Sequence, residues 1–193
     1  MTQSANKTRT LVECALMIAL ATVLSYIPIF EMPQGGSITL VSTLPILLVS
    51  WRHGLKWGLG TGFAHGLLQM FLGIKNVMYC TTIWSMIGCI LLDYIIAYMC
   101  LGLAWGVAKP FGSRMAGVAV STVVTGLMRY ACSFLSGILI WSGYAPEGTP
   151  VWIYSLSYNG SYMIPEIILT AVVGVLAAKF LLPKLEKTAT AAA

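Results

Sequence analysis

The sequence predicts an all-α integral membrane protein, a bundle of six transmembrane helices with both termini on the cytoplasmic side. Three observations predict it. The 193 residues are 58% hydrophobic and only 9% charged, with a mean hydropathy of +0.85. A soluble domain carries about 25% charged residues, so this chain cannot coat itself with a water-facing surface. The apolar runs are divided by short polar breaks, and at roughly 20 residues per spanning helix the length allows about six spans. Lys and Arg, finally, gather in alternate breaks.

In chain order, the first run, at about 10–30, is too long for a signal-peptide core and has no small-residue cleavage site at its end, so it reads as a retained helix. EMPQGGS at 31–37 is a Pro/Gly turn cluster. A short second span at 38–51 holds Pro45, which predicts a kink or a partial break. RHGLK at 52–56 is a basic break before a third span at 55–73. GIKN at 73–76 separates that span from a fourth at 81–108, and KPFGSR at 109–114 precedes a fifth at 115–141. SGYAPEGTPVWIYSLSYN at 142–159 reads as a long loop with two prolines and three tyrosines, before a sixth span at 161–182. The whole chain, 1–193, forms one transmembrane substrate-binding domain with short polar tails at about 1–9 and 184–193.

Orientation follows from the cations. One set of breaks and tails carries Lys7, Arg9, Arg52, Lys56, Lys109, Arg114, Lys184 and Lys187, and the other carries only Lys75, beside Glu31 and Glu147. The net charge of +5 is therefore a topology signal, with no patch built for nucleic acid. Five scattered cysteines without a CxxC pair read as apolar filling. His53 lies in the basic break, and His65 stands alone in the third span with no second ligand at metal spacing. Walker A, HExxH and GxSxG patterns are absent from the sequence, so neither ATP hydrolysis nor a catalytic nucleophile is expected, and no metal or cofactor.

Polar residues within the spans carry the functional signal. Asp93 sits in the apolar stretch ILLDYIIAY, with Lys75 and Lys109 the nearest basic residues along the chain. Intramembrane charges face the bundle interior or a cavity and are functional by default. A buried ion pair with Arg129 of the fifth span is the structural alternative; Arg129 also has the option of bonding to loop carbonyls nearer the outer half. A second polar group, Trp141, Tyr144, Trp152, Tyr154, Tyr158, Asn159, Tyr162 and Glu166, surrounds the entry to the last helix. Trp152 and Tyr144 read as an interfacial aromatic belt, whereas Asn159 beside Gly160 and Ser161 does not. Asp93, Trp141, Tyr154 and Asn159 together offer an anion, a π surface and hydrogen-bonding groups. That set suits a small, flat, cationic ligand with polar edges.

PQGGSITLVSTLPILLVSWRHGLKWG, LLDYIIAY and RYACSFLSGILIWSGYAPEGTPVWIYSLSYNGSYMIPE resemble the thiamine-specific substrate-binding subunit of energy-coupling factor (ECF) transporters, in order and spacing over nearly the whole chain. The resemblance implies a six-helix bundle in a bacterial plasma membrane that captures thiamine from outside with high affinity. It also implies docking on a transmembrane coupling protein and two ABC-type ATPases. Position by position, it implies that Asp93 faces the thiazolium cation and aminopyrimidine, with Tyr94 beside it. Gly137 and Trp141 match the pocket wall, and Tyr154 and Asn159 match hydrogen-bonding positions. Ser133 stands where some members have a pocket His, and Ser37 about where one has a Trp. Each removes a stacking face.

Ala15 and Ala19 lie one turn apart on the first helix, and small residues four apart let helices approach closely in lipid. With the family's alanine motif in that helix, the resemblance makes them the contact with the coupling protein. The competing class is a free-standing secondary carrier for a small organic cation, which calls for a coupling-ion site or inverted repeats; the two halves show no repeat.

Overall fold

The first helix stops sooner than its hydropathy predicts. In this computed structural model, which describes residues 2–33 and 35–180, α1 spans Thr2–Ser25. Pro28 cannot continue a helix and biases Ile27 toward an extended conformation. Strand β1 (Pro28–Glu31) follows, pairing antiparallel with β2 (Ser37–Thr39), Pro28 opposite Thr39 and Glu31 opposite Ser37. The expected turn cluster is the hairpin tip, where Gly35 and Gly36 both take a φ of +90°. The all-helical expectation is thus corrected by one small hairpin. The expected N-terminal polar tail is helical from Thr2, while the end of the sixth span and the tail at 184–193 lie outside the described residues.

Helix α2 (Leu44–His53) begins where the sequence predicted a kink, because Pro45 falls in its first turn. There the missing N–H has no intrahelical acceptor in any case. Gly54, with φ +84°, turns the chain directly into α3 (Leu55–Leu72). At this junction Arg52 and His53 of α2 both pair with Glu13 of α1. Burial, and then the neighbouring Arg52 charge, push the His53 pKa down, so the Arg52 guanidinium supplies the lasting cation of the cluster. The break at 73–76 contains the start of a short helix, α4 (Ile74–Met78).

The fourth apolar run is four pieces in series. These are α5 (Ile83–Cys89), a π-helical turn (Ile90–Ile95), α6 (Ile96–Gly102) and α7 (Ala104–Ala108). Gly58, Gly62 and Gly66 of α3 form a stripe against this run, where any Cβ would strike the backbone of Gly102, Tyr98 and Tyr94 respectively. Small residues at this spacing permit the close van der Waals contact that drives helix association in lipid. The stripe sets the height of Tyr94 and Tyr98.

Helix α8 (Arg114–Leu139) and a 3-10 turn (Ser142–Tyr144) lead to α9 (Val151–Phe180). The stretch from 151 onward, expected as loop, is therefore helical. Its serines read as loop formers, but Ser157 returns its hydroxyl to the carbonyl of Ile153 at 2.9 Å, and Ser155 bonds Phe134 O of α8 at 2.8 Å. Four helical stretches among the described residues are long and apolar enough to cross a membrane: Lys7–Ser25, Ile83–Ala108, Arg114–Leu139 and Val151–Phe180. The protein is a helical membrane protein. Its core lies between α2, α6 and α7, around Ile46, Leu47, Leu101 and Ala104, capped from α1 by Ala21.

Candidate ligand-binding cavity

A cavity of about 660 Å³ opens at the end of the bundle that carries the hairpin. All seven residues expected at a binding site, Asp93, Tyr94, Ser133, Gly137, Trp141, Tyr154 and Asn159, line it. They come from the π-turn, the second half of α8, the turn after it and the first half of α9. Volumes of 300–1,000 Å³ are usual for small-ligand sites.

Asp93 sits within the π-turn at Ile90–Ile95. Single π-turns inside α-helices widen the backbone locally and recur at functional sites. The Asp93 Oδ2 accepts from the Ser136 hydroxyl at 2.7 Å and from the Trp141 indole N–H at 3.1 Å. The predicted alternative of an ion pair with Arg129 is not what forms: Asp93 and Arg129 do not come within ion-pair distance. Instead the Arg129 guanidinium lies 4.9 Å from the Tyr98 ring centroid. Both charges nevertheless line the same cavity, together with Glu166.

Tyr94 is buried and fixed at both ends of its hydroxyl. It donates to Gly73 O at 3.1 Å and accepts from the Asn76 amide at 3.2 Å. Gly137 lets α8 meet α9: a Cβ there would overlap the Ser155 side chain and come within 3.3 Å of Asn159 Nδ2. Asn159 donates to Ser155 O at 2.9 Å and to Ser133 O at 3.3 Å, and its Oδ1 accepts from the Tyr162 hydroxyl at 2.8 Å. Tyr154 stacks obliquely on Tyr158, centroids 5.5 Å apart.

Two aromatic expectations divide. Trp152 is 55% exposed and lies outside the cavity, as a lipid-interface residue would. Tyr144, expected in the same belt, lines the cavity and tilts against Trp141 at 6.1 Å. The 3-10 turn at Ser142–Tyr144 folds it back over the end of α8.

Ser136 was missed by sequence reasoning, as were Tyr98, Gln69 and Thr39. A signal existed for Ser136: Arg129, Ser133, Ser136 and Gly137 recur at helical spacing and form one polar and small stripe on α8. Thr39 had none, because its position depends on a hairpin that apolar periodicity does not announce. Among the described residues, no group of three or more His, Cys, Asp or Glu side chains is placed to hold a metal.

Comparison with known proteins identifies the family and the fold. A family model described as "Thiamine transporter protein" matches residues 11–186. The thiamine transporter ThiT of Bacillus subtilis (strain 168) is 37% identical over 184 residues, covering 90% of this chain and 91% of that protein. ThiT of Lacticaseibacillus paracasei is 32% identical over 178 residues, covering 86% and 85%. A solved structure of ThiT from Listeria monocytogenes superposes with a TM-score of 0.75 over 93% of this chain and 98% of that one, at 23% identity. That match shows the shared fold. The family match and the two relatives together show that the chain belongs to the thiamine transporter family.

Proposed function

We propose that this chain is the high-affinity thiamine-binding membrane subunit of an ECF-type importer, not an enzyme, working in a bacterial plasma membrane. The observation that carries the reading is Asp93. Its carboxylate is aimed into an aromatic-walled cavity by Ser136 and Trp141, with no cation paired to it among the described residues. Thiamine carries a permanent thiazolium cation and a flat aminopyrimidine with hydrogen-bonding edges. A fixed carboxylate supplies the counter-charge, and its attraction is stronger in a low-dielectric cavity than in water. The rings of Trp141 and Tyr154 supply faces for stacking and cation–π contact. Ser133, Gly137, Tyr94 and Asn159 complete the proposed contact set.

The Lys and Arg distribution supports a topology with both termini in the cytoplasm and the cavity mouth outside. Six spans follow if the short α2 and α3 count with the four long ones. In this reading ATP-driven uptake uses energising partners, a coupling protein and two ABC-type ATPases, the chain having no Walker A pattern of its own. Ala15 and Ala19 support a docking face: both are exposed on α1, flanked by Leu11, Leu16 and Leu20, which are also exposed. The deciding experiment is titration of the purified chain with thiamine, followed by quenching of tryptophan fluorescence. Saturable quenching is expected. Its absence in a folded, detergent-stable preparation would refute the reading.

A further inference from the structure

We propose that Glu166 is a positioning residue for the ligand: its carboxylate latches the β1–β2 hairpin onto α9 and so holds one wall of the cavity in place. The proposal rests on the cavity being the thiamine site.

Glu166 is buried in mid-α9, at 5% exposure. A buried carboxylate needs partners for its oxygens, and both come from a single distant residue. Oε2 accepts the Thr39 backbone N–H at 2.6 Å, and Oε1 accepts the Thr39 hydroxyl at 2.6 Å. Thr39 Oγ1 in turn accepts the N–H of Ser42 at 3.2 Å, extending the anchor toward α2.

The hairpin needs such support. A two-stranded hairpin is marginal alone, and Pro28 opposite Thr39 has no N–H to give the ladder. Two further residues on the same face of α9, each one turn apart, serve the tip. The Tyr158 hydroxyl donates to Gly35 O at 2.9 Å, and the Tyr162 ring lies where a Gly36 side chain would have to stand. Tyr162 also donates to Asn159 at 2.8 Å, joining this latch face to the cavity face of α9. The anchored segment supplies Gly35, Gly36, Ser37, Thr39 and Ser42 to the cavity lining. Glu166 has a second consequence there. The charged groups of the described lining are Asp93, Arg129 and Glu166, and Glu166 offsets Arg129, which would otherwise oppose a cationic ligand.

Glu166→Gln keeps size but places an NH2 group against a donor; Thr39→Val removes the hydroxyl and leaves Glu166 untouched. Two measurements are made on each purified variant: amide hydrogen exchange of the hairpin without ligand, and stopped-flow thiamine association and dissociation. Faster exchange at 37–39 with α9 protection retained is expected, together with dissociation accelerated by about tenfold or more in Glu166→Gln, as loss of a charged hydrogen bond allows. Thr39→Val should fall between this variant and the parent. Unchanged exchange at 37–39 overturns the latch. Faster exchange with parental dissociation overturns its role in holding ligand. If Glu166→Gln does not insert stably, Thr39→Val decides by the same readings. A parent chain that binds no thiamine overturns the functional reading and the ligand role with it, while exchange still reports on the latch.

Discussion

The indole N–H of Trp141 donates to Asp93 Oδ2 at 3.1 Å, tying the turn after α8 to the π-turn that carries the carboxylate. One bond thus fixes both the counter-charge and the aromatic wall. Ser136 shares the same oxygen at 2.7 Å.

Asp93→Asn removes the charge and turns one acceptor oxygen into a donor, while keeping the shape and one acceptor for Ser136. Removing one partner of a desolvated charge pair costs about 2–5 kcal/mol. Calorimetry with thiamine should show a loss in this range with the thermal midpoint little changed. An unchanged dissociation constant would remove Asp93 from the site.

Trp141→Ala should abolish most of the thiamine-dependent fluorescence quench and cost on the order of 1–3 kcal/mol of binding, from lost cation–π attraction and apolar contact. Trp152→Ala, at an exposed position off the cavity, should leave both quench and affinity near parental values. A reversal of the two results would relocate the pocket wall.

Gly137→Ala tests the α8–α9 approach. The new methyl would overlap Ser155 and press on Asn159, and overpacking of this kind costs about 1–3 kcal/mol. Thermal unfolding should shift down and thiamine binding weaken together. Ser155→Gly in the same chain clears the space and should recover part of both losses, a coupling expected of residues in contact. Simple additivity of the two substitutions would show that the close approach is not what Gly137 provides.

The sequence and the structure part company in instructive places. Asp93, Trp141 and Asn159 were legible because a charge in an apolar run, or an amide among aromatics, has few physical uses. Helix α9 was legible only in part. Its first turns are rich in Ser and Tyr, and their hydroxyls bond carbonyls that a sequence does not reveal, including Ser155 to Phe134 O at 2.8 Å. The hairpin was legible only as its turn, EMPQGGS at 31–37, because the few apolar residues flanking it, Ile29, Phe30 and Ile38, continue the runs of the neighbouring spans. Thr39's attachment to Glu166, a contact across 127 residues, is not visible in the sequence. The alternative partner read for Arg129, the Asp93 carboxylate, is replaced by the Tyr98 ring, since an aromatic face competes with a carboxylate for a guanidinium.

The last prediction separates binding from transport. Ala15 and Ala19 are exposed on α1, whereas the cavity lining draws on α1 only at its far end, at Ser25. Bulky side chains at both small positions would hold a partner helix away and forfeit the close contact on which association in lipid depends. They would reach neither Asp93 nor Trp141. Ala15→Trp with Ala19→Trp should therefore retain thiamine affinity near that of the parent, yet stop ATP-dependent uptake when the energising subunits are co-expressed. The paired measurement is fluorescence titration of the purified double variant alongside radiolabelled thiamine uptake in cells. Parental uptake by a stable, correctly inserted double variant would exclude this face of α1 as the docking surface. Loss of binding would instead show that α1 shapes the cavity, through Ser25 and its bond from Gln69 at 3.0 Å.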